Sequence, residues 1–104
     1  MERIELWIGL AELKPLDRKA FGAGGAFTNI VASACSVEEF RKKASEIAAM
    51  LDMCVMEVDD AEPLSERRKK CSLTEEVDEM VMRAESDPNA IVYGTFHTYP
   101  FDEA

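Results

Sequence analysis

The stretch SVEEFRKKASEIAAMLDMCVMEVD, residues 36–59, decides how this chain is read as a fold. Ser36 and Glu39 have the spacing of a capping box, in which the Ser36 hydroxyl accepts from the amide three residues on and the Glu39 carboxylate reaches back. Val37, Phe40, Ala44, Ile47, Ala48 and Leu51 then recur at helical spacing and build one apolar stripe, with Arg41, Lys42, Lys43 and Glu46 opposite. The pattern predicts a helix over residues 37–51, followed almost without a loop by a strand over residues 53–59.

On the N-terminal side, Ile4, Leu6, Ile8 and Leu10 alternate with Arg3, Glu5, Trp7 and Gly9, which is the period of a strand. Lys14-Pro15 is expected to end it, because proline offers no donor to a sheet ladder. A second strand runs over residues 27–34. On the C-terminal side, the basic stretch Ser65–Cys71 reads as a mobile connection or a frayed helical turn. Ser72 and Glu75 repeat the capping-box spacing, and Leu73, Val77, Met80, Val81 and Ala84 form a second apolar stripe that ends at Ser86-Asp-Pro-Asn89. Ala90–Tyr99 is the last strand, stopped by Pro100.

The expected order is therefore β-β-α-β-α-β. Helical crossovers make the last three strands parallel and place both helices on the same side, while the first strand pairs antiparallel with the second. The expectation is one α+β domain over residues 1–104: a two-layer sandwich with a four-stranded mixed sheet and two helices on one face.

Charge narrows the partners. With 21 acidic residues against 12 basic ones, the net charge is -9. Nucleic acids and anionic membrane surfaces are met first through phosphates, which need a basic surface, so neither is expected as a partner. No apolar run approaches a membrane span, and Met1-Glu2-Arg3-Ile4-Glu5 lacks the order of a signal peptide. Cys35, Cys54 and Cys71 are odd in number and widely spaced, with no CxxC, as expected of reduced thiols in a cytoplasmic protein. With one histidine and no metal-spaced cysteines, no metal or other cofactor is expected.

If both helices cover one face, alternation sends Trp7, Phe27, Asn29, Val31, Val55, Glu57, Tyr93, Thr95, His97 and Tyr99 to the other. A large patch rich in aromatics is rarely left in water. Its expected cover is a second copy of the chain, in a homodimer through Trp7, Phe27, Val31, Val55, Tyr93, His97 and Tyr99. Another possible cover is the loop of residues 14–26, which carries Phe21, Gly22, Gly24 and Gly25 in the run FGAGGAFT. These glycines precede a strand rather than a helix, so they are not a phosphate-binding loop.

Candidate chemistry gathers at the strand ends. Cys35 ends the second strand ahead of a helix N-terminus, Asp59 and Asp60 end the third, and His97 lies near the end of the fourth. Parallel strands would bring these to one edge, where a thiolate could be activated. The leading expectation is a non-enzymatic binding or assembly module that self-associates or holds a protein partner. One alternative is an immunity-type inhibitor of a basic toxin; the other is a small enzyme using Cys35, His97 and Asp59.

Overall fold

The computed structural model describes residues 3–17, 19 and 22–100. Its strands are β1 (Glu5–Pro15), β2 (Gly25–Ala34), β3 (Met53–Pro63), β4 (Ile91–Tyr93) and β5 (His97–Tyr99). The helices that join them among the described residues are α1 (Val37–Met50), α2 (Leu64–Lys70) and α3 (Glu75–Ser86). The sheet order is β3-β1-β2-β4, with β5 also on β2.

The class is α+β, as expected, but every pairing in the sheet is antiparallel. The mixed sheet with three parallel strands is therefore corrected. β1 has apolar residues on both faces, with Ile8 on one and Ala11 and Leu13 on the other, and all three are buried. Such a strand belongs at the centre of a sheet. It inserts between β2 and β3, which run the same way without touching. Residues 65–71, expected as a mobile connection or a frayed helical turn, lie in the helix α2 up to Lys70, with Cys71 as its C-cap. The path from β3 to β4 thus has two helical legs instead of one, and it delivers β4 antiparallel to β2.

The helices are divided between the two faces of the sheet, which corrects the placement of both on one side. Register pairs Ala11 with Thr28 and Leu13 with Ala26, whereas Ile8 pairs with Val31. Phe40, Ala44 and Ala48 of α1 pack with Ala11, Leu13, Ile30, Ala32 and Val58. Leu64 of α2 and Val77, Met80, Val81 and Ala84 of α3 pack with Ile8, Val31 and Val92. The central strands are thus buried on both sides, as an antiparallel sheet covered on one face would not be.

Local chemistry explains the element ends. Ser36 Oγ accepts from Glu39 N at 3.2 Å, as the capping box requires. Glu39 reaches back one residue beyond the cap, to Cys35 N at 3.1 Å. In α3 the cap is Thr74 rather than Ser72, accepting from Val77 N at 3.2 Å. The single last strand is broken by Gly94–Phe96 into β4 and β5. Gly94 N donates to Thr28 Oγ1 at 3.1 Å, and a Cβ at Gly94 would lie 2.4 Å from a Glu76 carboxylate oxygen. β1 ends at Pro15, as expected. Residue 15 is its last position, where a missing donor costs little.

Candidate binding surface

The helices α2 and α3 are short and cover only part of their face of the sheet. Beyond Ile8 and Val31, the same face continues with Leu10 opposite Asn29 and Glu12 opposite Phe27. On the other side of β1, Asp59 lies opposite Leu10 and Glu57 opposite Glu12. On the other side of β2, His97 lies opposite Phe27 and Tyr99 opposite Gly25. Leu10, Glu12, Phe27, Asn29 and Tyr99 are half-buried, and Glu57, Asp59 and His97 are exposed.

This surface has an aromatic side and an acidic side. Phe27 and Tyr99 meet with ring centroids 5.6 Å apart, and the Tyr99 hydroxyl donates to Glu12 Oε2 at 2.6 Å across β2. The hydroxyl end of the Tyr99 ring lies over Gly25, where a Cβ would come within 2.3 Å of its hydroxyl oxygen. The run FGAGGAFT therefore delivers a smooth strand start on which an aromatic ring rests. Gly24 N donates to Tyr99 O at 2.9 Å in the same place. Phe21 falls outside the described residues, while Gly22 takes a left-handed φ of 81°.

The acidic side is electrostatically unbalanced. Glu12 and Glu57 are direct cross-strand neighbours, a like-charge pairing that destabilises a sheet. Asp59 continues the row, and no ion pair is made by Glu12, Glu57 or Asp59 among the described residues. Glu62, next along β3, is different. Lys70 Nζ donates to it at 2.6 Å and Arg67 Nε donates to its other oxygen. These bonds, Lys70 first and then Arg67, hold the Glu62 carboxyl below its ordinary value. An open groove of about 730 Å³ runs between this triad and the sheet, over Leu10 and Asn29.

At the outer edge, β3 is the terminal strand of the sheet and is 11 residues long. Its register slips opposite Ile8/Leu10 and Glu12/Leu13. At the first slip Asp60 takes a positive φ of 54°. A second groove, of about 450 Å³, lies where Arg41 and Ser45 of α1 face Val55–Asp59.

The expected aromatic face is not one surface. Trp7 pairs with Ala32 and stacks on Phe40 under α1, with ring centroids 6.3 Å apart. Val55 pairs with Leu13 on that same side, as Tyr93 does with Ile30. Tyr93 stacks with Phe96. Val31 is on the opposite side, fully buried under α3. Of the expected set, Phe27, His97 and Tyr99 stay together, on the part of the face that none of the described helices covers. Alternation grouped Trp7 with Phe27 because it carries no register, and Glu12 was not among the expected site residues.

Nor does the strand-end constellation assemble. Cys35 lies just past the end of β2, where its Sγ donates to Glu39 Oε2 at 3.5 Å. His97 pairs with Phe27, roughly 26 Å back along the same strand at about 3.3 Å per residue. Asp59 is on β3, with β1 between it and β2. No group of three or more metal-ligating side chains occurs among the described residues, and no helix among them is long and apolar enough to cross a membrane. Comparison with known proteins finds no matching family model, curated protein or solved structure.

Proposed function

We propose that this chain is a non-enzymatic binding module that holds a basic protein partner on the uncovered, acidic part of its sheet. The observation that carries this reading is the Glu12–Glu57 pairing, with Asp59 beside it and no cation on any of the three among the described residues. A row of like charges costs stability in the unbound protein and is relieved when a basic surface is laid on it. The overall charge of -9 adds long-range steering of such a partner. Phe27 and Tyr99 border the row with apolar area and a hydroxyl, the kind of side chain that anchors an interface. An inhibitor that neutralises a basic toxin is one form such a module takes.

Self-association has a specific observation in its favour, since Phe27, His97 and Tyr99 remain together on one open surface. A two-fold contact there would also set Glu12, Glu57 and Asp59 against or near their own copies, so the basic partner is the better fit.

Affinity capture with the wild type and with Glu12→Gln/Glu57→Gln/Asp59→Asn tests the reading. The expected result is a basic protein retained by the wild type and lost from the variant. Equal retention by both, or a retained partner that is itself acidic, overturns it. Sedimentation of the pure protein decides the self-association reading, which requires a dimer that Phe27→Ala or Tyr99→Ala disrupts.

A further inference from the structure

We propose that the partner enters as an extended segment that adds a strand to the outer edge of β3, with basic residues alternating with small apolar ones. This rests on the acidic-module reading and specifies how the surface is used. Three observations carry it. First, β3 is a long edge strand whose outer backbone groups meet no strand among the described residues, which is a template for pairing. Second, the two faces beside that edge differ in chemistry. On one face Glu57 and Asp59 stand in line with Glu12; on the other, Arg41 and Ser45 of α1 face Val55 and Val58 across a groove that Met56, Glu57 and Asp59 also line. Third, Met56 at the register slip leaves an apolar side chain 52% exposed at the same edge.

Side chains of an added strand alternate between these two faces. Those beside Glu57 and Asp59 are favoured when they are Lys or Arg. Those entering the groove lie beside Arg41, which offsets the Glu57 and Asp59 carboxylates that also line it, and beside Val55 and Ser45, which suit a small apolar group. Backbone bonds supply affinity and the alternating pockets supply the choice of sequence, as in other strand additions. A second copy of β3 is a poor occupant, because antiparallel pairing would bring Glu57 and Asp59 of one chain against those of the other. The carboxylates that keep identical edges apart select a basic strand.

Fluorescence anisotropy with three labelled peptides on the full chain tests the proposal. They are acetyl-KVKVKVK-amide, the block isomer KKKKVVV, and KVKVKVK with N-methyl groups on alternate backbone nitrogens. The alternating peptide is expected to bind at least tenfold more tightly than either of the others, and Glu57→Lys is expected to weaken it at least tenfold. Arg41→Glu should let the block isomer gain on the alternating one. If the N-methylated peptide binds as well as the parent while Glu57→Lys still abolishes binding, strand addition is overturned and the acidic surface stands. If no basic peptide binds, or Glu57→Lys changes nothing, both readings fall. A dimer in sedimentation that Glu57→Lys strengthens assigns the edge to a second copy and overturns the proposal as well.

Discussion

Gly9→Ala is expected to destabilise the protein by about 1–2 kcal/mol, through one contact that links the core to the bulged edge of β3. A Cβ built on Gly9 falls 2.7 Å from Phe40 Cε2 and 3.3 Å from both Ala61 Cα and Ala61 Cβ. Ordinary carbon contacts lie at about 3.5–4.0 Å, so the Phe40 ring must withdraw by roughly 0.8 Å or the bulge must shift. Neither yields easily. Phe40 is fully buried and stacked on Trp7, and Ala61 follows the positive-φ residue Asp60 at the register slip. Overpacking of this kind costs about 1–3 kcal/mol, offset by roughly 0.4–1 kcal/mol from the lower entropy of the unfolded chain. A net 1–2 kcal/mol lowers the melting temperature by about 4–15 °C in a domain of this size. The assay is urea denaturation followed by Trp7 fluorescence, in a cycle with Phe40→Leu. Phe40→Leu alone leaves a cavity and costs roughly 1–2 kcal/mol. Together with Gly9→Ala it makes room for the new methyl, so the double variant should be at least 1 kcal/mol more stable than the sum of the two costs implies. Costs that add to within about 0.5 kcal/mol would show that Gly9 and Phe40 do not compete for space, and the account of the bulge would be wrong.

Three further outcomes are expected. Glu57→Gln should raise the urea midpoint, because it removes a like charge from opposite Glu12, and the gain should shrink in 1 M salt; a lowered midpoint would contradict the strain on which the functional reading rests. Acidification should destabilise the fold as pH falls below the ordinary carboxyl value of 4.5. Glu62 is depressed by Lys70 and Arg67, and Glu76 by the Thr95 hydroxyl and then its backbone amide, so their stabilisation is present above that value and lost as pH falls through the folded-state pKa. Glu76→Gln should flatten the acid limb of stability against pH, and an unchanged limb would refute its share. Thr74→Ala should cost about 1 kcal/mol by removing the α3 cap, whereas Ser72→Ala should be near neutral; equal costs would place the cap at Ser72.

The helix over residues 37–51 was legible because Ser36, Glu39, Phe40, Ala44 and Ala48 state cap, period and buried face within one local window. The apolar stripe of α3 was legible for the same reason. What the sequence did not carry was which strand lies beside which. Alternation along β1 separates Ile8 from Ala11 equally well for any neighbour, and only register to β2 decides that Trp7 shares a face with Ala32 rather than with Phe27. Ala44 and Ala48 fall in the buried stripe, as their spacing predicts, but their small size, which lets α1 lie close on Ala11 and Ala32, does not say which face of the sheet they meet. That packing left the other face of the same strands free to take α3.

That division of helices explains why the acidic surface exists at all. With both helices on one side, the whole opposite face would be open, and its aromatic residues would call for an apolar cover. In the structure α2 and α3 bury Ile8, Val31 and Val92, the most apolar part of that face. The part left open carries Glu12, Glu57 and Asp59 beside a ring pair. Glu62, at the border between the two parts, is the carboxylate that α2 neutralises with Arg67 and Lys70. The basic run of α2 therefore balances the acidic row only where helix and sheet touch. The remaining carboxylates, Glu12 on β1 and Glu57 and Asp59 on β3, have no such counter-charge among the described residues, which is why the proposed partner is a basic one.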